Sequence, residues 1–209
     1  MFFETTLADA LHQFATLFAV VDPVGTVPVF IAVTATIAPD RRRAVAYRAV
    51  LFAALVLMGF LIAGQPVLNA IDVNLTSFQI AGGIVLFLFA LTMIFGDSKP
   101  DREISEVSKN VAEWAVYPLA IPSIASPGAM LAVVVLTDND VHSIAAQAVT
   151  AGITLAVLGL SLVLMLVAMP VQRLIGKAGA SIVSRVMGLI LAAVAVDHVI
   201  SAIILRFGL

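Results

Sequence analysis

The chain has 209 residues, of which 62% are apolar and only 11% charged, and its mean hydropathy is +1.13. A soluble domain is about 45–50% apolar, and one of this size has no interior large enough to hide the excess, so the bilayer is the expected solvent. The net charge of −2 argues against a nucleic-acid partner, which needs a basic surface, and the absence of cysteine excludes disulfides, thiol catalysis and cysteine metal sites.

Apolar stretches of membrane-crossing length predict six transmembrane helices, near 11–38, 44–68, 77–95, 114–137, 144–170 and 182–205. The first carries Glu4 and Asp9 ahead of it and no basic residue before Arg41, so it is expected to be retained as a helix rather than cleaved as a signal peptide. The separators are hydrophilic: Pro39 to Arg43, Asn69 to Thr76, Gly96 to Glu113, Asp138 to His142 and Gln172 to Ser181. The charged third separator (Asp97, Lys99, Asp101, Arg102, Glu103, Glu106, Lys109, Glu113) reads as a solvated linker between two halves.

Arg41, Arg42, Arg43 and Arg48 border the first connection, Lys99, Arg102 and Lys109 the third, and Arg173, Lys177 and Arg185 the fifth. Of the eleven basic residues only Arg206 falls on the other side. The positive-inside rule then puts those three connections in the cytoplasm and both termini outside.

The halves align. Pro23 and Pro28 in the first span match Pro122 and Pro127 in the fourth; Ala46, Ala49 and Val50 match Ala145, Ala148 and Val149, and Arg48 falls on Gln147. With a small drift, Gly82 meets Gly188 and Gln79 meets Arg185. Three spans per half force opposite insertion, so the expected fold is all-α, one membrane domain over 1–209. It comprises two inverted three-helix repeats, 1–96 and 114–209, joined by a linker at 97–113.

Both matched spans carry helix breakers. Asp22-Pro23-Val24-Gly25-Thr26-Val27-Pro28 and Pro118, Pro122, Pro127 and Gly128 are hard to thread through regular helix. Freed backbone is tolerated at membrane depth only where protein or a watery cavity receives it, so both breaks are expected to line the interior. Asp22 before Pro23 and Ser126 before Pro127 read as helix starts, with a capping residue and then proline at the first helical position. Two such N-termini facing each other form a partly positive site suited to a carboxylate. The candidate substrate-binding residues are therefore Asp22, Pro23, Gly25, Thr26, Pro28, Pro122, Ser123, Ala125, Ser126, Pro127 and Gly128. Ordinary proline kinks that only adjust packing are the competing reading.

These segments also resemble a known family. Asp22 to Phe30 and Pro118 to Ala129 are similar to the two signatures of the MarC family of bacterial inner-membrane proteins, and Ser77 to Gly83 and Arg185 to Ala193 fit its third and sixth helices. Thr26 and Ser126 stand where that family commonly has Asn and Gly, and Asp22 is sometimes Asn. The resemblance spans nearly the whole chain. It implies membership of the LysE-type exporters, location in the inner membrane, and transport of small neutral amino acids such as glycine and alanine coupled to protons.

Asp22 is the acid well inside the spans of the first half; an intramembrane carboxylate is costly and so a functional candidate, and it is also a fitting helix cap. Asp197 and His198 in the sixth span suit a proton relay or an outer vestibule. Gln79 and Arg185 are gate candidates, with a snorkelling arginine as the alternative. His12 and Gln13 read as an interfacial pair. Asp138, Asp140 and His142 read as a solvated loop rather than a metal site. Gly152, Gly159 and Ala148 form a small-residue stripe for helix packing, within a protomer or across a homodimer.

The expected function is a secondary transporter or exporter of small neutral amino acids, with protons or another ion as the coupling partner, lipid around it and no cofactor. No P-loop is present to bind ATP. A metal or inorganic-ion exporter would want more acids and histidines along the pore. An intramembrane serine protease would draw on Ser123, Ser126 and His198, but there is no G-x-S-x-G elbow, and no enzyme is expected. A non-transporting stress or structural protein would not need matched helix breaks.

Overall fold

The computed structural model describes residues 6–34, 37–95 and 115–208. Among them the chain is helical throughout: α1 Leu7–Val21, α2 Pro23–Val33, α3 Pro39–Ala70, α4 Leu75–Phe95, the irregular α5 Ala115–Ile124, α6 Pro127–Val135, α7 Ile144–Leu166 and α8 Ala168–Phe207. Five stretches are long and apolar enough to cross a membrane: Leu7–Ile31, Arg41–Ala70, Leu75–Phe95, Ile144–Leu166 and Ser181–Phe207. Counting the bent pair α5–α6 as one span makes six. The expected charged linker at 97–113 lies outside the described residues.

Local chemistry sets most boundaries. Thr6 and Asp9 form a reciprocal capping box that starts α1 four residues before the expected 11. Pro39 sits at the head of α3, where its missing N–H costs nothing. The basic run Arg41 to Arg43, expected as a separator, is instead the first turn of α3, and Arg42 Nε donates to the Ile37 carbonyl at 2.8 Å. The fifth separator lies, as expected, between the spans Ile144–Leu166 and Ser181–Phe207. Its backbone is helical on either side of Gly176, whose φ of 63° and ψ of −179° suit glycine alone and break α8 into two helices.

Burial divides the bundle into a centre and a ring. In Leu7–Ile31, 61% of the span is buried, against 22–33% in the other four. In α6, Gly128, Ala129 and Leu131 to Val134 are all buried. The elements carrying the proline motifs therefore form the middle. Around them α3, α4, α7 and α8 present apolar side chains outward, among them Leu55, Ile62, Leu88, Val163 and Leu205, each more than half exposed. Such a surface suits hydrocarbon and not water. The ring packs closely: an added Cβ at Gly83 would crowd Val199 and the Ala195 carbonyl, and one at Gly188 would crowd Met93 and Ile94, which brings α4 and α8 together as small residues do in membranes.

Candidate functional site

Asp22 separates α1 from α2 with a left-handed backbone, φ 52° and ψ 64°. Aspartate tolerates this conformation better than most residues, and Pro23 discourages a right-handed helical conformation in the residue before it. Each group of Asp22 then has a defined task. Its N–H donates to Phe18 O at 3.1 Å and closes α1; its carbonyl accepts from Thr26 N at 3.1 Å and opens α2. Its carboxylate Oδ1 accepts the Gly25 N–H at 2.9 Å. The other oxygen lies over Gly25, where any Cβ would collide with the carboxylate. Asp22 is 1% exposed, and it is the one charged side chain buried among the described residues.

The second motif comes to the same place. In α5, Tyr117 and Ile121 have extended rather than helical backbone, and the Ile121–Pro122 peptide is cis. The chain bends by 55° between α5 and α6. Ser126 caps α6, its Oγ accepting from Ala129 N at 3.1 Å while donating to the Val20 carbonyl at 2.8 Å. One hydroxyl thus starts α6 and satisfies a carbonyl in the last turn of α1, a group the interruption takes out of the helical ladder. The Thr26 hydroxyl bonds the Asp22 carbonyl at 3.1 Å and lies 3.3 Å from Ser123 Oγ. Thr26, Ser123 and Ser126 are all at most 1% exposed.

The structure therefore joins Asp22, Gly25, Thr26, Ser123 and Ser126 in one buried polar cluster. Pro23 and Ala125 are buried beside it, Pro28 and Pro122 are half-buried, and Pro127 is exposed. Gly128 packs against Leu86 of α4, so its missing side chain makes room for a neighbouring helix. Both helix N-termini already hold a group from the chain itself, the Asp22 carboxylate on α2 and the Ser126 hydroxyl on α6.

Other singled-out residues lie apart from this cluster's hydrogen bonds. Gln79 Nε2 donates to the His198 backbone carbonyl at 3.2 Å, tying α4 to α8. His198 is half-buried and Asp197 exposed. Arg185 is exposed and lies about 20 Å along α8 from the Gln79 contact, at 1.5 Å per residue. Among the described residues no three His, Cys, Asp or Glu side chains are grouped to hold a metal ion. Asp138 instead accepts from Gln65 Nε2 at 3.0 Å, while Gln65 Oε1 accepts the Asn139 N–H at 2.6 Å. Gln65, 6% exposed, thereby fastens the α6–α7 loop to α3. Sequence reading passed over Gln65, Thr150, Thr154 and Ser161. The last three had a signal, hydroxyls recurring on one helical face, whereas Gln65 had none.

The family model described as MarC family integral membrane protein matches residues 7–207. The chain is 34% identical over 191 residues to a UPF0056 membrane protein of Archaeoglobus fulgidus, covering 90% of this chain and 88% of that protein. It is 32% identical over 193 residues to the UPF0056 membrane protein YvbG of Bacillus subtilis, covering 90% and 91%. It is 33% identical over 187 residues to the UPF0056 inner membrane protein YhgN of Escherichia coli K12, covering 90% and 92%. No solved structure matches the chain.

Proposed function

We propose, for a chain that belongs to the MarC family of integral membrane proteins, that it is a proton-coupled secondary transporter of small neutral amino acids of the glycine and alanine type. It works in the inner (cytoplasmic) membrane, a location the name of the Escherichia coli relative supports. Its halves are inverted repeats of the LysE type, each with one broken helix, and Asp22, Thr26, Ser123 and Ser126 line the site between them.

The observation that carries this reading is the meeting of Thr26 and Ser123 beside buried Asp22 at the centre of the bundle. Burying a carboxylate and three hydroxyls in a bilayer costs several kcal/mol, and a protein that only needed packing would fill the space with leucine. Helix interruptions at membrane depth are stable where protein receives the freed groups, and here Asp22 and Ser126 do so. A solute that competes for those hydrogen bonds can enter and leave without exposing backbone to lipid. Among the described residues no basic side chain is buried to hold an acidic substrate side chain. Small residues surround the hydroxyls, which favours glycine and alanine over larger amino acids.

The test is uptake and counterflow in proteoliposomes holding the purified chain, against amino acids and divalent metal ions. Saturable glycine or alanine exchange, accelerated by an imposed pH difference, is expected. Metal transport without amino-acid exchange, or neither, would overturn the reading.

A further inference from the structure

The helix α3 is longer than a bilayer needs, and the surplus lies at its N-terminal end. From Ala49 to Leu68 the one polar side chain is Gln65, and it is buried. At 1.5 Å per residue that stretch measures about 30 Å, the thickness of the hydrocarbon layer. Arg48 and Asn69, both exposed, bound it. The helix begins at Pro39, so about three of its turns stand beyond the hydrocarbon and pass through the headgroups.

Those turns are basic and largely unengaged. Arg41, Arg43 and Arg48 are exposed, and among the described residues their guanidinium groups form no hydrogen bond or ion pair, whereas Arg42 is turned to the Ile37 carbonyl. Arg41, Arg48 and Leu55 recur every seven residues and so stand on one line of the helix surface. Ala44, also exposed, falls between the two arginines and leaves a notch there. Below Arg48 the same outward face continues through exposed Leu51, Phe52 and Leu55. Arg48 marks the edge of the hydrocarbon and Arg41 lies about 10 Å further out, so the pair brackets a headgroup layer about 5–8 Å deep. Tyrosines agree with that level. Gln65 ties the end of α6 to the far end of α3, which puts the start of α5, with exposed Tyr117, at the Arg48 end beside exposed Tyr47. Tyrosine collects where hydrocarbon meets headgroup.

We propose that this face of α3 holds an anionic phospholipid, its phosphate over Ala44 between Arg41 and Arg48 and its acyl chains along Leu51, Phe52 and Leu55. The charge is complementary: guanidinium forks match phosphate oxygens, and two arginines in line favour a headgroup with net negative charge over a zwitterionic one. The apolar run beneath them is what distinguishes a lipid from a free phosphate as the occupant. The site lies apart from the Asp22–Thr26–Ser123 cluster and does not depend on the transport reading.

Native mass spectrometry of the purified chain in mild detergent, offered equal amounts of dioleoyl phosphatidylglycerol and dioleoyl phosphatidylethanolamine, reads the preference directly. Each arginine contributes about fivefold, so the unsubstituted chain should favour phosphatidylglycerol clearly, and Arg41→Gln combined with Arg48→Gln should bring uptake of the two lipids close to parity. Arg41→Lys combined with Arg48→Lys keeps the charge and should keep most of the preference. Arg206→Gln removes an equal, exposed charge from the C-terminal end of α8 and should change the preference by less than about twofold. Equal uptake of the two lipids by the unsubstituted chain would overturn the proposal, and so would a preference that survives in the glutamine pair. Glycerol 3-phosphate that displaces the lipid at equal concentration would overturn it in favour of a soluble phosphate. A dimer that survives delipidation and takes up no lipid would overturn it in favour of a second copy covering this face.

Discussion

The hydroxyl oxygens of Thr26 and Ser123 lie 3.3 Å apart across 97 residues of chain, and they join the two segments in which helix is interrupted. Ser126 reinforces the junction by bonding the Val20 carbonyl. Side-chain hydroxyls thus do work that backbone does elsewhere in a helix.

Ser126 carries two bonds whose loss can be measured. Ser126→Ala removes the cap on α6, worth about 1 kcal/mol, and leaves the Val20 carbonyl buried without its donor, worth about 1–3 kcal/mol more. The purified variant should show a clearly lower thermal midpoint in detergent. Ser126→Thr keeps the hydroxyl and should retain most of the stability. Equal midpoints for the Ala variant and the unsubstituted chain would show that other groups serve both helix ends.

Gly128 separates a packing role from a binding one. A side chain there would strike Leu86, so Gly128→Ala should destabilise the protein, and Leu86→Ala should relieve the loss. Contacting pairs show coupling of about 0.5–3 kcal/mol in such a cycle. Gly128→Leu is therefore expected to fail in assembly before it fails in binding. Additive effects of the two alanine substitutions would mean that α4 and α6 do not meet at this point.

How much of this was legible in the sequence follows from the range of each interaction. Apolar runs fixed the membrane class and nearly all spans, because hydropathy is local. Pro23, Pro122 and Pro127 with Asp22 and Ser126 marked the central cluster, because breakers and caps act within a turn. The packing of Gly128 on Leu86, the fastening of Asn139 by Gln65 and the bond from Thr150 to Gln13 were not legible. Each joins parts of the chain far apart in sequence, and nothing in one segment's pattern names its partner. The hydrophilic stretch 172–181 marked the boundary between the last two spans, but its polarity gave no sign that the backbone is helical on either side of Gly176.

The orientation expected from the basic residues is directly testable. Reporter fusions at Pro100 and Lys177 should be cytoplasmic, and fusions at Asn74 and Asn139 should report the opposite side. A cytoplasmic result at Asn139 would break the pairing of the halves as inverted repeats.

Proton coupling puts Asp22 to the hardest test. Its carboxylate is buried, it sits between α1 and α2, and Oδ1 accepts the Gly25 N–H. Asp22→Asn preserves size and keeps an acceptor oxygen for Gly25, so the left-handed backbone and the start of α2 should survive. What it removes is the exchangeable proton. If Asp22 carries the coupling proton, the Asn variant should bind glycine and exchange it in counterflow nearly as well as the unsubstituted chain, yet lose accumulation driven by a pH difference. A structural role alone gives another pattern, with exchange and accumulation falling together alongside the thermal midpoint. If Asp22→Asn still concentrates glycine when only a pH difference is imposed, the proton travels through another group, and His198 with Asp197 on α8 become the next pair to substitute.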